Sequence, residues 1–209
     1  MSTKSSATFG AYSVISGIVY FVLQAEERGS WRRCLVDAGI YVLSWGLLVL
    51  DSQIGTSAEN PTLLAVQNLS DGGDTSTSVL VQYPSTGQER VLTSTTEFRT
   101  SMAFVRIEGT KGSIFMKGLS ASMPKECIIF SGPERVSLHD SITGQLPLGE
   151  VHQFEEQGLG PHHEADHVAV EMAAGKKESS IIPQAETIRV TEMLDEIRKQ
   201  RGLRYPQDK

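Results

Sequence analysis

The chain has 209 residues and a formal net charge of −6, from 19 basic and 25 acidic side chains. Its length allows one substantial domain with appendages, and its hydrophobic and charged fractions, 39% and 21%, argue against a disordered or fibrous protein. A negative chain without a cluster of Lys and Arg argues against nucleic acid as a partner. Two distant cysteines without a Cys-x-x-Cys spacing, Cys34 and Cys127, allow one disulfide but favour two buried free thiols in a reducing, cytoplasmic compartment.

The first 30 residues are an atypical apolar segment. No charged residue lies between Ser5 and Ala25, and about 20 predominantly apolar residues are needed to span a bilayer. Ser, Thr, Gly and Gln dilute this stretch, however, and Gln24–Glu27 is a poor signal-peptide cleavage region. Three interpretations stay open: a membrane anchor or signal through residues 5–25, a buried segment, or a stretch foreign to the domain that follows.

An apolar helix and a series of strands are predicted next. From Trp31 to Leu50, apolar residues follow one another with few interruptions, which predicts a helix buried on most sides. After the polar connector Ser52–Pro61, short segments rich in Val, Leu and Thr alternate with clusters of turn residues. The strands predicted from them are Thr62–Leu69, Thr77–Tyr83, Arg90–Phe98, Ala103–Glu108, Ser113–Lys117 and Glu126–Phe130. From there to Gln157 the sequence has no regular pattern.

Two helices are predicted at the end of the chain, one from Pro161 to Gly175 and one from Pro183 to Gly202. Each has one apolar face, formed by Ala165, Val168, Ala169, Met172 and Ala173 in the first and by Val190, Met193, Leu194 and Ile197 in the second. A helix, a run of strands and two helices predict an α+β domain. We expect an open, mainly antiparallel sheet with helices packed on one face.

Asp37 and Tyr41 are the residues best spaced for chemistry. They lie four apart and so share a helix face, with Gly39 between them to allow close approach. An acid and a phenol in this arrangement can bind and protonate a polar substrate, provided that a nearby cation activates the phenol. The same spacing also fits a buried Asp satisfied by backbone groups beside a core Tyr. Spacing alone favours this second, structural interpretation.

No metal or nucleotide site is predicted. His163 and His167 have the i,i+4 spacing of helical zinc ligands, but no third ligand is evident, and acids near a first helical turn suit the helix dipole. The chain has no Gly-x-Gly-x-x-Gly after a strand, no phosphate loop, no Gly-x-Ser-x-Gly and no His-Glu-x-x-His.

Four stretches, taken together and in order, resemble the glucose–fructose oxidoreductase/inositol dehydrogenase (Gfo/Idh/MocA) family. Leu35–Tyr41 resembles the family's Leu-Leu-Asp-x-Gly-Ile/Val-Tyr segment, and Val105–Gly112 is similar to its sheet hairpin. His163–Ala169 and Glu186–Arg198 resemble its Glu-Ala-Asp helix and its terminal helix. Within the family, these stretches look most like the branch of the dimeric dihydrodiol dehydrogenases and the fungal NADP-dependent D-xylose dehydrogenases. We therefore expect residues 31–206 to form the family's carboxy-terminal, substrate-side and dimerisation domain.

The resemblance implies an oxidoreductase function with NADP as cofactor. Family members bind NAD(P) in an amino-terminal Rossmann domain, and their open sheet completes the substrate site and often forms the dimer face. Tyr41 would be the catalytic proton donor or acceptor, acting with the lysine of a Glu-Lys-Pro motif, and Asp37 would bind substrate hydroxyls. The implied partners are a sugar, polyol or dihydrodiol substrate and either a second copy or a full-length relative.

This chain departs from the family pattern, because it has no Glu-Lys-Pro motif and no βαβαβ stretch before Asp37. We expect a truncated dehydrogenase that does not bind the cofactor alone. Two other hypotheses stay open: a non-catalytic dimerisation or binding module, and a cofactor-free cyclase or isomerase that uses Asp37 and Tyr41. An exposed apolar sheet face would favour the module, and a closed pocket around the pair would favour the enzyme.

Overall fold

The computed structural model describes residues 33–51, 53–97, 103–120, 123–131, 149–154, 161–205 and 208. Residues 1–30, and with them the membrane, signal and buried-segment interpretations, lie outside the described residues. Within the described ranges, no helix has both the length and the apolar character needed to cross a membrane.

The described chain forms a helix, a run of antiparallel strands and two more helices, as predicted. The helical elements are a π-helix (Leu35–Gly39), α1 (Ile40–Leu50), a 3₁₀ turn (Gly55–Ser57), α2 (Pro161–Ala173) and α3 (Gln184–Gln200). The strands are β1 (Thr62–Ser70), β2 (Gly73–Gln82), β3 (Glu89–Thr95), β4 (Ala103–Gly109), β5 (Gly112–Ser120), β6 (Met123–Ser131) and β7 (Glu150–Gln153). They pair as two antiparallel sheets, in the orders β1-β2-β3 and β4-β5-β6-β7. The predicted α+β class is confirmed.

The strand β7 was not predicted. All four of its side chains are exposed, and Val151 is its one aliphatic residue, so the alternation that marks a half-buried strand is missing. Its backbone pairs with β6 over four residues, from Ile129 opposite Glu150 to Glu126 opposite Gln153. Pairing with a neighbouring strand, rather than local pattern, therefore makes this segment a strand.

Two glycines let α1 pack closely on the first sheet. Gly39 and Gly46 are separated by two helical turns and both face β3. A Cβ on Gly39 would lie 3.4 Å from Oγ of Ser94, and one on Gly46 would lie 3.3 Å from Nη1 of Arg90. The helix consequently runs along β3 in the opposite direction, with little space between the two backbones.

The two C-terminal helices use their apolar faces differently. In α3 the predicted face is buried, and it packs into one core with α1 and the first sheet. In α2 every residue of the predicted apolar face is exposed. The apolar spacing of α2 therefore identifies a helix, but within the described part of the chain it does not identify a buried face.

A network of buried charges joins α3 to the end of α1. Asp51 follows α1, and its carboxylate accepts hydrogen bonds from the Tyr83 hydroxyl, from Arg189 Nη2 at 2.7 Å and from Arg90 Nη2 at 3.4 Å. Arg189 also pairs with Glu186 at 2.8 Å, and Glu186 accepts a hydrogen bond of 2.6 Å from the backbone N–H of Gly55. All four charged side chains are buried.

We predict that Arg189→Ala lowers the free energy of unfolding by about 3–5 kcal/mol, because it leaves Asp51 and Glu186 buried without this cation. Urea denaturation measures the loss. The control is Lys199→Ala in the same helix, where the side chain is exposed and a change within about 0.5 kcal/mol is expected. Equal effects of the two substitutions would contradict a structural role for the network.

Candidate functional site

The structure places Asp37 and Tyr41 on the solvent side of the first helix. Asp37 lies in the π-helix and Tyr41 in the first turn of α1. Both side chains are exposed, Tyr41 by 49%. The interpretation that spacing favoured, a buried Asp beside a core Tyr, is therefore wrong. Short π-helical turns occur frequently at functional sites.

Apolar side chains extend the surface around this pair. Val36, Ile40 and Leu48 are exposed together with Asp37 and Tyr41, and these five residues form what we call the exposed α1 face. The side chain of Leu48 is 68% exposed. Single exposed apolar residues are common on protein surfaces, whereas a row of them along one helix marks a contact surface. The predicted helix buried on most sides is thus corrected: its sheet side is buried and this face is open.

Asp74 holds the beginning of this helical region in place. Its buried carboxylate accepts hydrogen bonds from the backbone N–H of Leu35 at 2.7 Å, from the Thr77 hydroxyl at 3.0 Å and from the Tyr205 hydroxyl at 3.3 Å. Burial raises the pKa of Asp74, and these hydrogen bonds lower it in part. A carboxylate at the amino-terminal end of a helix also suits the helix dipole.

The ring of Tyr205 lies between two guanidinium groups, because Arg33 and Arg198 are each 5.0 Å from its centroid. The C-terminal residues thereby contact the start of the helix that carries Asp37. The sequence had no signal for this arrangement, since Asp74 occurs among turn residues and Tyr205 lies 131 positions away.

Cys34 is next to the pair in sequence but does not act as a nucleophile. The side chain is fully buried, and both Cys34 and Cys127 are free thiols, as predicted. Burial raises the pKa of Cys34 to about 12, although a hydrogen bond with Ser94 opposes the shift. Only the thiolate is nucleophilic, so burial disfavours the reactive form of this thiol.

The histidines of α2 do not gather a metal site within the described residues, where no group of three His, Cys, Asp or Glu side chains could hold an ion. Nε2 of His167 lies 3.1 Å from Oγ of Ser179, and the rings of His162 and His163 are 4.0 Å apart.

A crevice lies on the other side of the helix from the exposed α1 face. It is lined by α1, the first sheet and α3, through residues that include Leu35, Val42, Leu92, Ser94 and Ile197. Neither Asp37 nor Tyr41 lines it. The pair thus borders open solvent in the described part of the chain.

We expect Tyr41→Phe and Asp37→Asn each to change the free energy of unfolding by less than about 0.5 kcal/mol, because both side chains are exposed. Tyr83→Phe is the matched comparison: it removes a buried hydrogen bond to Asp51 and should cost about 1–3 kcal/mol. Chemical denaturation of the three variants measures these changes in the free energy of unfolding. A loss at Tyr41 as large as that at Tyr83 would show that Tyr41 is a structural residue.

Comparison with curated proteins finds dehydrogenases, although no protein-family model matches the chain. It is 31% identical over 205 residues to trans-1,2-dihydrobenzene-1,2-diol dehydrogenase of Sus scrofa, which covers 97% of this chain and 55% of that protein. It is 28% identical over 190 residues to the Homo sapiens protein of the same name, covering 90% and 52%. It is 27% identical over 179 residues to D-xylose 1-dehydrogenase (NADP(+)) of Hypocrea jecorina, covering 82% and 44%. The chain spans about half the length of these relatives.

Solved structures share the fold. UDP-N-acetylglucosamine 3-dehydrogenase GnnA from Acidithiobacillus ferrooxidans superposes with a TM-score of 0.66 at 16% identity, covering 93% of this chain and 55% of that one. An NAD-binding protein from Listeria innocua superposes with a TM-score of 0.51 at 14% identity, covering 89% and 52%. At these identities the likeness concerns the fold alone.

Proposed function

We infer the function from one premise: the chain is a homologue of the dihydrodiol and D-xylose dehydrogenases of the Gfo/Idh/MocA oxidoreductase family and matches about half of their length. We propose that it supplies the substrate-side wall of a dehydrogenase for sugars, polyols or trans-dihydrodiols. The observation that carries the proposal is the position of Asp37 and Tyr41, side by side on one exposed helix face.

The two side chains suit the oxidation of a secondary alcohol to a ketone, in which a hydride leaves the carbon and a proton leaves the oxygen. The chemistry that a bound NADP⁺ would supply is acceptance of the hydride. Tyr41, in its phenolate form, would take the proton at its phenolic oxygen and become the neutral phenol. Asp37 would accept a hydrogen bond from a neighbouring hydroxyl and so orient the diol. The lysine that activates the family's tyrosine has no counterpart motif here, so we propose that the covering partner supplies the cation.

The exposed α1 face would have to be covered by a partner to form a closed active site. A substrate bound only to a surface exposed to water would make weak, strongly solvated contacts. Closure of the site would exclude water and strengthen the hydrogen bonds of the substrate with Asp37 and Tyr41. We propose that a nucleotide-binding domain covers the exposed α1 face and holds the cofactor, and that the described domain does not hold NADP by itself. Val36 and Ile40 would supply the apolar contact to that domain.

The test is a titration of the ¹⁵N-labelled chain with D-xylose and with a trans-dihydrodiol, followed by NMR. We expect weak, millimolar binding that shifts the amide signals of Leu35–Tyr41. Asp37→Asn should weaken the binding several-fold, because the negative charge and one of the two accepting oxygens are lost. Asp166→Asn, an exposed acid on α2, is the matched control and should bind as the unaltered chain does. Shifts confined to other regions, or none at all, would contradict the proposed site.

A second function, a non-catalytic binding module, is favoured by the outer face of the first sheet. There Leu64 and Val66 of β1 and Leu80 of β2 are exposed, and the register places Leu64 directly opposite Leu80. An apolar patch on a sheet face marks a protein contact. Sedimentation of the purified chain as a sharp monomer would count against this function. No comparable observation favours the cofactor-free enzyme, because Asp37 and Tyr41 are exposed and do not line the crevice between α1, the first sheet and α3.

A further inference from the structure

Tyr205 contacts the start of the first helical region, although it lies beyond the end of α3. Gly202 follows α3 with a φ of 68°, in the left-handed region that favours glycine. The chain turns there, and Leu203 is buried. Tyr205 then reaches Asp74 with its hydroxyl and Arg33 with its ring. The C-terminal residues are thereby joined to the backbone that leads into the π-helix.

The first connection from Tyr205 to the π-helix runs through Asp74, which is fully buried. The Tyr205 hydroxyl donates to Oδ1 of Asp74 at 3.3 Å. The backbone N–H of Leu35 donates to Oδ2 of the same carboxylate at 2.7 Å. Leu35 is itself buried, and a buried N–H that loses its acceptor is costly. By holding one carboxylate oxygen, Tyr205 directs the other to the first residue of the π-helix.

The second connection runs through Arg33. Its guanidinium lies 5.0 Å from the centroid of the Tyr205 ring, and the guanidinium of Arg198 in α3 lies at the same distance. The backbone carbonyl of Arg33 accepts a hydrogen bond of 3.0 Å from the N–H of Asp37. Tyr205 therefore contacts both groups that hold the π-helical backbone from outside, one at Leu35 and one at Asp37.

We propose that Tyr205 is a positioning residue for Asp37. It acts through Asp74 and Arg33, which maintain the π-helical turn and with it the direction of the Asp37 side chain relative to Tyr41. A π-helical turn is rare, so contacts from outside the turn are needed to maintain it. The inference rests on the proposed function, in which Asp37 binds a hydroxyl of the substrate.

Amide hydrogen exchange of the ¹⁵N-labelled full chain tests this with Tyr205→Phe, which removes the hydroxyl and keeps the ring. We expect the amides of Leu35–Gly39 to exchange about three- to tenfold faster, because one hydrogen bond that opposes their local opening is lost. Tyr83→Phe is the matched control, since it removes a hydroxyl that donates to the buried carboxylate of Asp51 beyond the other end of α1. That control should leave the exchange of Leu35–Gly39 unaltered.

Substrate affinity is the readout that a role in overall stability would not change, because it reports on the folded chain alone. We expect Tyr205→Phe to weaken the binding of D-xylose and of a trans-dihydrodiol several-fold, since Asp37 is no longer held in the productive geometry. The amide signals of Asp37 should also shift in the ligand-free variant. Tyr83→Phe should bind both ligands as the unaltered chain does.

Two results would overturn the proposal. Equal exchange rates of Leu35–Gly39 in the two variants would leave Tyr205 with a role in overall stability alone. An affinity of Tyr205→Phe equal to that of the unaltered chain would show that Asp37 does not depend on Tyr205. Failure of the proposed function looks different, because neither ligand would then shift any signal of the unaltered chain. The exchange rates would still decide whether Tyr205 holds the π-helix.

Discussion

The buried charge network around Asp51 is the constraint on which the orientation of the first helix depends. Its members come from the end of α1, from the turn after it, from β3 and from α3, and all of its charged side chains are buried. A buried charge without its partner is costly, so these elements hold their positions together. At the other end of the same helical region, the carboxylate of Asp74 accepts hydrogen bonds from the backbone N–H of Leu35 and from the hydroxyl of Tyr205.

The helix is therefore fixed by a carboxylate at each end and by two glycines along its length. Gly39 and Gly46 bring it against β3, which buries Val42, Leu43 and Leu47 on the sheet side. The side of the helix that faces away from the sheet is the exposed α1 face, with Asp37 and Tyr41 at one end. In the function that we propose, this face is one wall of an active site, and a second body closes it.

Local patterns were sufficient to predict most elements, but not how they meet. Asp37 and Tyr41 could be found from helical spacing. Their exposure could not, because the helix is apolar nearly all round and so periodicity does not distinguish its two sides. Arg90 was placed correctly in a strand, yet its ion pair with Asp51 joins positions 39 apart. The strand β7 exists through its pairing with β6, and no short-range signal encodes that pairing.

We propose that this chain provides the substrate side of the reaction and that the nucleotide site lies elsewhere. Calorimetric titration of the purified chain with NADPH and with NADP⁺ distinguishes this proposal from a complete dehydrogenase. We expect no heat of binding up to millimolar nucleotide, because the sequence has no glycine-rich phosphate loop to hold a pyrophosphate. Micromolar binding would contradict it and would show that the chain contains a cofactor site of its own.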